Sequence, residues 1–215
     1  AALLHRGRGH ARGWLDLDGN YKLAEARKSV IELARTEPEP DKLVARFRNL
    51  LIDRWNATSA VFLFDNRNVY TSDTIELDKQ HPALAALHPE SWATLESIER
   101  TRESSALVDI RTFLSKNSLN LVIATPRGAP TPSMLVALKA KTDGWPFTYP
   151  EIRQLQNIAE LMDNILTRSR LTEQAALQAR VEHLAMMSRG LAHDLKNLIT
   201  PVSSFLIHTD GRYPA

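Results

Sequence analysis

The 215 residues contain no cysteine. That absence removes disulfides, thiolate nucleophiles, Cys-ligated metals or clusters, and any cofactor attached through a thioether. Long apolar runs are missing too: nothing approaches the ~18–20 consecutive apolar residues of a membrane-crossing helix. Neither sign of charge dominates. Lys+Arg 27 against Asp+Glu 25 leaves a net charge of +2, too small to mark a nucleic-acid surface. There is no initiator methionine and no charged-then-apolar signal peptide. The sequence opens at Ala1, ends abruptly at His208-Thr-Asp-Gly-Arg-Tyr-Pro-Ala215, and reads as a piece of a longer protein. Glycine and proline are nearly absent from 151–207, where only Gly190 and Pro201 occur. What is present, 43% hydrophobic and 24% charged residues, is ordinary globular composition and excludes disordered or fibrous classes.

Residues 1–20 are rich in glycine and arginine (Arg6, Gly7, Arg8, Gly9, Arg12, Gly13) and contain an Asp18-Gly-Asn20 turn, so a loop and short hairpin are expected there. A helix fits 22–35, with Leu23, Ala26, Val30, Ile31 and Ala34 on one face. Glu37-Pro-Glu-Pro40 ends it, because proline cannot continue a helix. A second helix fits 41–55, where Leu43, Val44, Phe47, Leu50, Leu51 and Trp55 recur at helical spacing. Strand periodicity follows: 59–64 and 69–72 flank Asp65-Asn-Arg-Asn68 and predict a hairpin. Residues 79–104 read as helical and irregular. Strands are expected at 106–110, 120–125 and 133–141, the last two joined by the Pro- and Gly-rich turn 126–132. His81 and His88 are conceivable haem ligands, but surface or hydrogen-bonded histidines are the simpler expectation; Trp92 and Trp145 read as core. Thr148 with Glu151 three residues on is a capping-box pattern, with Pro150 in the first turn. The sum is a helix–sheet–helix domain over 41–166 and a long helix leaving it.

That helix begins with a broad apolar face: Ile152, Leu155, Ile158, Ala159, Leu161, Met162, Ile165 and Leu166. A face this wide suits packing on a domain. After the polar run 167–173 the pattern tightens to Leu177, Val181, Leu184, Ser188, Leu191, Leu195, Leu198, Val202 and Phe205. Steps of four and three alternate, and eight of the nine positions are apolar. That is the seam of a coiled coil or helical bundle, and its change of phase from the broad face suggests a stutter in between. Taken alone, it predicts a dimerisation coiled coil. With Leu191 and Leu195 on the seam, His193 falls opposite it, at the outermost heptad position. Asp194 is its neighbour, Asn197 lies one turn on, and Arg189 and Lys196 are within four residues. These are a nucleophile that titrates near neutrality, a carboxylate able to polarise it, and an amide able to place a water or a phosphoryl oxygen.

The run Gly190-Leu-Ala-His193-Asp-Leu-Lys-Asn197-Leu-Ile-Thr-Pro201 resembles the H-box of sensor histidine kinases, above all the nitrogen-regulation type, His-Glu-x-Lys-Asn-Pro-Leu-Thr-Pro. The resemblance implies His193 as phosphoacceptor, Asp194 as its acid/base partner, and Asn197 as the residue assisting phosphotransfer or phosphatase chemistry. Two departures stand out. Asp194 replaces the commoner Glu, and Leu198 stands where many members have proline, so a bend is expected at Pro201 instead. A zinc-protease reading fails because Asn197 stands where a second histidine is required. Upstream, the element order, the strand Ser133–Leu138 and the segment Trp145–Glu151 entering the last helix resemble a GAF domain, with PAS the second choice. No cyclic-nucleotide signature is present, and a covalent bilin is excluded with cysteine.

The expected fold class is therefore α+β: a GAF-like antiparallel sheet with flanking helices, followed by a long coiled-coil helix. The divisions are 1–40 (linker and helix), 41–166 (GAF-like sensor), 167–176 (signalling-helix linker), 177–208 (first helix of a dimerisation and phosphotransfer domain) and 209–215 (tail). The implied parent is a cytoplasmic two-component histidine kinase, with or without a membrane anchor upstream. In it His193 would take a phosphoryl group from ATP and pass it to a response-regulator aspartate. No ATP-binding box is present in the sequence, so no cofactor is expected on this chain, and ATP-Mg belongs to a catalytic domain elsewhere. Expected partners are a second copy through the 177–205 seam, a receiver domain, and an unknown small-molecule or protein signal. The competing expectation is a non-catalytic GAF-plus-coiled-coil dimerisation module.

Overall fold

The computed structural model describes residues 21–87, 90–100 and 105–210, with side chains described as far as Pro201. Two helices open it, α1 (21–36) and α2 (Pro40–Trp55). Pro40 sits in the first turn of α2, where its missing N–H is harmless, and Asn56 closes the helix in the left-handed region at φ 52°. β1 (Ala60–Asn66) and β2 (Val69–Thr71) form the expected hairpin, with Arg67 at φ 55° in its turn. There follow β3 (Glu76–Asp78), α3 (Pro82–Leu87), β4 (Trp92–Thr94), α4 (Leu95–Glu99), α5 (Ser105–Lys116), β5 (Leu121–Thr125), β6 (Met134–Leu138) and α6 (Tyr149–Asp210).

The strands form one antiparallel sheet in the order β3-β2-β1-β6-β5-β4. β5 and β6 are buried at every residue, because both sheet faces are covered. On one face the cross-strand row Phe62–Val136–Ile123 packs against α1, α2 and the first five turns of α6. On the other, Val61, Ala137 and Val122 pack with Tyr70, Ile110, Phe113 and Leu114 under α3, α4 and α5. Tyr70 is fully buried and donates its hydroxyl to the Pro132 carbonyl at 2.7 Å; burial pushes its phenol up from the usual value.

Five expectations change. Residues 106–110 are not a strand but part of α5: Leu107, Ile110, Phe113 and Leu114 share one helical face, and Val108 points outward. Ile31 is exposed, and Leu33 packs on the core with Ala26 and Val30. Trp145 is 72% exposed rather than core. Its N–H is held by Asp143 Oδ1 at 2.9 Å in a turn with Gly144 at φ 73°, and Phe147 fills the core in its place. The short β3 and β4 went unread: unlike β2, neither faces a longer strand across a turn that marks a hairpin. Trp92, expected in the core, is only half-buried and packs against its edge; His81 Nδ1 accepts the Ala83 N–H at 3.2 Å, and His88 and residues 1–20 lie outside the described residues.

The chain divides into two compact units, one ending at Ser169 and one beginning at Arg170, within the polar run of α6. α6 is helical throughout, including at Pro201. No described helix is long and apolar enough to cross a membrane.

Candidate functional site

The start of α6 is fixed by charge as well as by its apolar face. Thr148 is the N-cap, and its N–H and hydroxyl both donate to Glu151 Oε2 at 2.8 Å. The carboxylate thus performs its half of the capping box, while the Thr148 hydroxyl turns to it instead of to the Glu151 N–H. Lys141, just beyond β6 and 9% exposed, donates to both oxygens of Glu151 at 2.7 and 2.9 Å and lies 5.2 Å from the Phe147 ring centroid. Burial acts to raise the Glu151 carboxyl, but Lys141 and the Thr148 donors outweigh it, and its pKa lies below the usual value.

A second polar group lies further along the helix. Arg127, in the β5–β6 loop, reaches both oxygens of Glu160 at 2.9 and 3.0 Å and Asn157 Oδ1 at 2.6 Å. Ser133 donates to Asp163 at 2.6 Å, and the buried Gln156 amide to the Glu90 carbonyl at 3.0 Å. None of these partnerships was legible in the sequence. Each joins residues far apart along the chain by side chains whose spacing carries no period.

In the second unit every residue from 171 to 201 is exposed. The predicted seam is there: Leu177, Val181, Leu184, Leu191, Leu195 and Leu198 lie in one continuous helix, each more than half exposed. Met187 and Ile199 flank it and widen the apolar stripe. His193 stands away from that stripe with its side chain 72% exposed. Asn197 Nδ2 is 3.1 Å from His193 Nδ1 and Asp194 Oδ1 is 3.6 Å from it, so both polar neighbours lie on the same ring nitrogen. No described residue hydrogen-bonds Nε2. Arg189 turns back along the helix to the Ala185 carbonyl at 3.3 Å, and Thr200 donates to the Lys196 carbonyl at 2.7 Å. Pro201 has no N–H for the Asn197 carbonyl, so that oxygen lacks its helical donor. No described set of His, Asp and Glu is grouped to hold a metal ion.

No protein-family model matches the sequence, and no curated protein matches it. Among solved structures, the GAF domain from a phosphoenolpyruvate-protein phosphotransferase of Coxiella burnetii superposes with a TM-score of 0.51 at 9% identity, covering 72% of this chain and 98% of that one. The GAF domain/HD domain protein from Geobacter sulfurreducens aligns with a TM-score of 0.41 at 15% identity over 69% of this chain and 96% of that one. The first likeness, with the six-stranded order and the helices on both faces, establishes a GAF-like fold followed by a long C-terminal helix.

Proposed function

We propose that this chain is the sensory and phosphoaccepting portion of a two-component histidine kinase. The GAF-like unit would receive the signal, a small molecule or a protein, and His193 would accept the phosphoryl group. One observation carries the reading: His193 is exposed opposite an apolar seam, with its polar neighbours gathered on Nδ1 and Nε2 left open to solvent. An imidazole so placed is open to a phosphorus atom presented from outside the helix, and attacks it when Nε2 holds the lone pair. The Nε2 lone pair forms the N–P bond, the bond from phosphorus to the β–γ bridging oxygen of ATP breaks, and ADP leaves with that electron pair. A receiver-domain aspartate would then take the phosphoryl group. Asp194 and Asn197 would assist, the carboxylate by polarising the ring and the amide by holding a water or a phosphoryl oxygen. The ATP site belongs to a catalytic domain outside these residues, and the exposed stripe would close on a second copy in a cytoplasmic homodimer.

The test is to mix the chain with an isolated histidine-kinase catalytic domain and ATP and look for acid-labile, base-stable phosphate. Label on the native chain that vanishes in His193→Gln is the expected result. No label, even with a complete dimerisation domain supplied, overturns the reading. The exposed leucines 177–198 would then support the second one, a GAF-like dimerisation module that binds partners without transferring phosphate.

A further inference from the structure

The contact between Asn197 and His193 bears on which ring nitrogen can react, a question that rests on the phosphoacceptor reading but can be answered separately from it. A neutral imidazole carries one N–H and one lone pair, and whatever bonds one nitrogen decides the state of the other. Here the partner of Nδ1 is an amide one helical turn away, at 3.1 Å. The adjacent carboxylate, at 3.6 Å, is beyond ordinary hydrogen-bond length and does not bond the ring.

We propose that Asn197 is a positioning residue that sets the tautomer of His193. An amide has two arrangements of nearly equal shape. With its NH₂ toward the ring, as in this structure, Nδ1 must accept, the proton resides on Nε2, and the outward nitrogen has no lone pair to attack with. With the amide turned over, its oxygen faces the ring, Nδ1 must donate, and the lone pair stands on Nε2. In the first arrangement an attack by Nε2 needs its proton removed, and no described residue hydrogen-bonds that nitrogen to take it. In the second, the N–P bond forms with the proton retained on Nδ1 and bonded to Asn197 Oδ1, so no proton has to leave during the attack. The pair is a two-position switch, closed in the arrangement seen here. A phosphoryl donor or docking partner that engages the amide NH₂ would favour the open one.

The test uses the 215-residue chain and needs no kinase. Long-range ¹⁵N–¹H correlation at a pH above the imidazole transition reads the tautomer of His193 directly. Asn197→Asp offers only acceptors and should shift the population toward Nδ1–H. Asn197→Ala should fall between it and the native chain, with steps of roughly twofold, the size expected of an exposed side-chain pair one turn apart. Asp194→Asn removes a charge that favours Nδ1–H from 3.6 Å and should move the ratio toward Nε2–H by less than the Asn197 steps. Phosphoramidate supplies the chemical readout: Nε2 attacks phosphorus, the P–N bond breaks and ammonia leaves. The Nε2-phosphohistidine should form about twofold faster in Asn197→Asp than in Asn197→Ala. Circular dichroism confirms that each exposed substitution leaves the helix intact.

A tautomer ratio unchanged across the native chain, Asn197→Ala and Asn197→Asp overturns the proposal, as does a ratio that moves more with Asp194→Asn than with the Asn197 substitutions. The phosphoacceptor reading fails independently, through absent kinase-dependent label. An altered tautomer without that label would leave the Asn197 proposal standing alone.

Discussion

Two stretches of one helix obey different physics. From Tyr149 to Ser169, α6 buries Ile152, Leu155, Ile158, Ala159, Met162 and Leu166, and its Glu151 and Glu160 are bonded to Lys141 and Arg127 of the domain. From Leu171 to Pro201 it has the same regular backbone but every side chain is exposed, including six apolar seam positions. Backbone regularity therefore says little about what holds a helix. An isolated helix is marginal on propensity alone, and most helical stability in proteins comes from packing. The first stretch has that packing within the chain. The second carries an exposed apolar stripe and has no such packing among the described residues.

The sharpest way to break this comparison is a matched truncation. Ile158→Ala removes fully buried apolar volume and should cost about 2–5 kcal/mol of unfolding free energy in urea melts of the first unit. Leu191→Ala, at a position 63% exposed, should change the melt by less than about 0.5 kcal/mol at micromolar dilution. Repeating both at increasing protein concentration sharpens it. A Leu191→Ala effect that grows with concentration identifies the seam as an interface between copies, and sedimentation of the native chain should show the same dependence.

The next effect is the polar start of α6. Lys141→Met leaves Glu151 with only the Thr148 donors in a half-buried place, and should cost roughly 1–3 kcal/mol. Arg127→Ala removes a pair about one-third exposed on each side and should cost less, on the order of 1 kcal/mol or below. Equal costs would mean that the two ion pairs hold the helix alike, against the difference in burial.

These clamps also show where reading the sequence stops. Short continuous apolar runs disclosed β1, β5 and β6, and helical spacing disclosed α2 and both stripes of α6, because burial on both sheet faces or on one helix face leaves those patterns. Residues 106–110 misled because Ala-Leu-Val-Asp-Ile is short and β-branched. The helical partners that decide its state, Phe113 and Leu114, come after it. Trp145 misled because size suggested burial, where a turn at Asp143 and Gly144 directs it outward. At the candidate site, the neighbours of His193 were legible, since residues one turn apart must meet on a helix. That both would lie on Nδ1 was not, because a rotamer decides it.

A smaller effect follows from Glu151 and acid. Its carboxyl lies below the usual range in the folded chain, so the stability it contributes is fully present above the unfolded value of about 4.3 and is lost as pH falls through the lower folded value. Native protein should lose stability over that acid window, and Glu151→Gln, which cannot titrate, should show a shallower loss there.

The smallest expected effect tests the second stretch at the candidate site itself. Gly190 lies inside the helix, three residues before His193, and a methyl group added there would meet nothing within 4 Å. Gly190→Ala should therefore raise helix stability by about 0.5–1 kcal/mol, read as increased helicity at 222 nm on warming. In the first stretch a comparable gain would be masked by packing; in the second it has nothing to hide behind. The same substitution also narrows the approach to His193 from the face bearing Gly190. If a phosphoryl donor or acceptor docks there, Gly190→Ala should stabilise the helix and yet slow label transfer to and from His193. A helix that gains stability with transfer unimpaired would place the docking contact on another face.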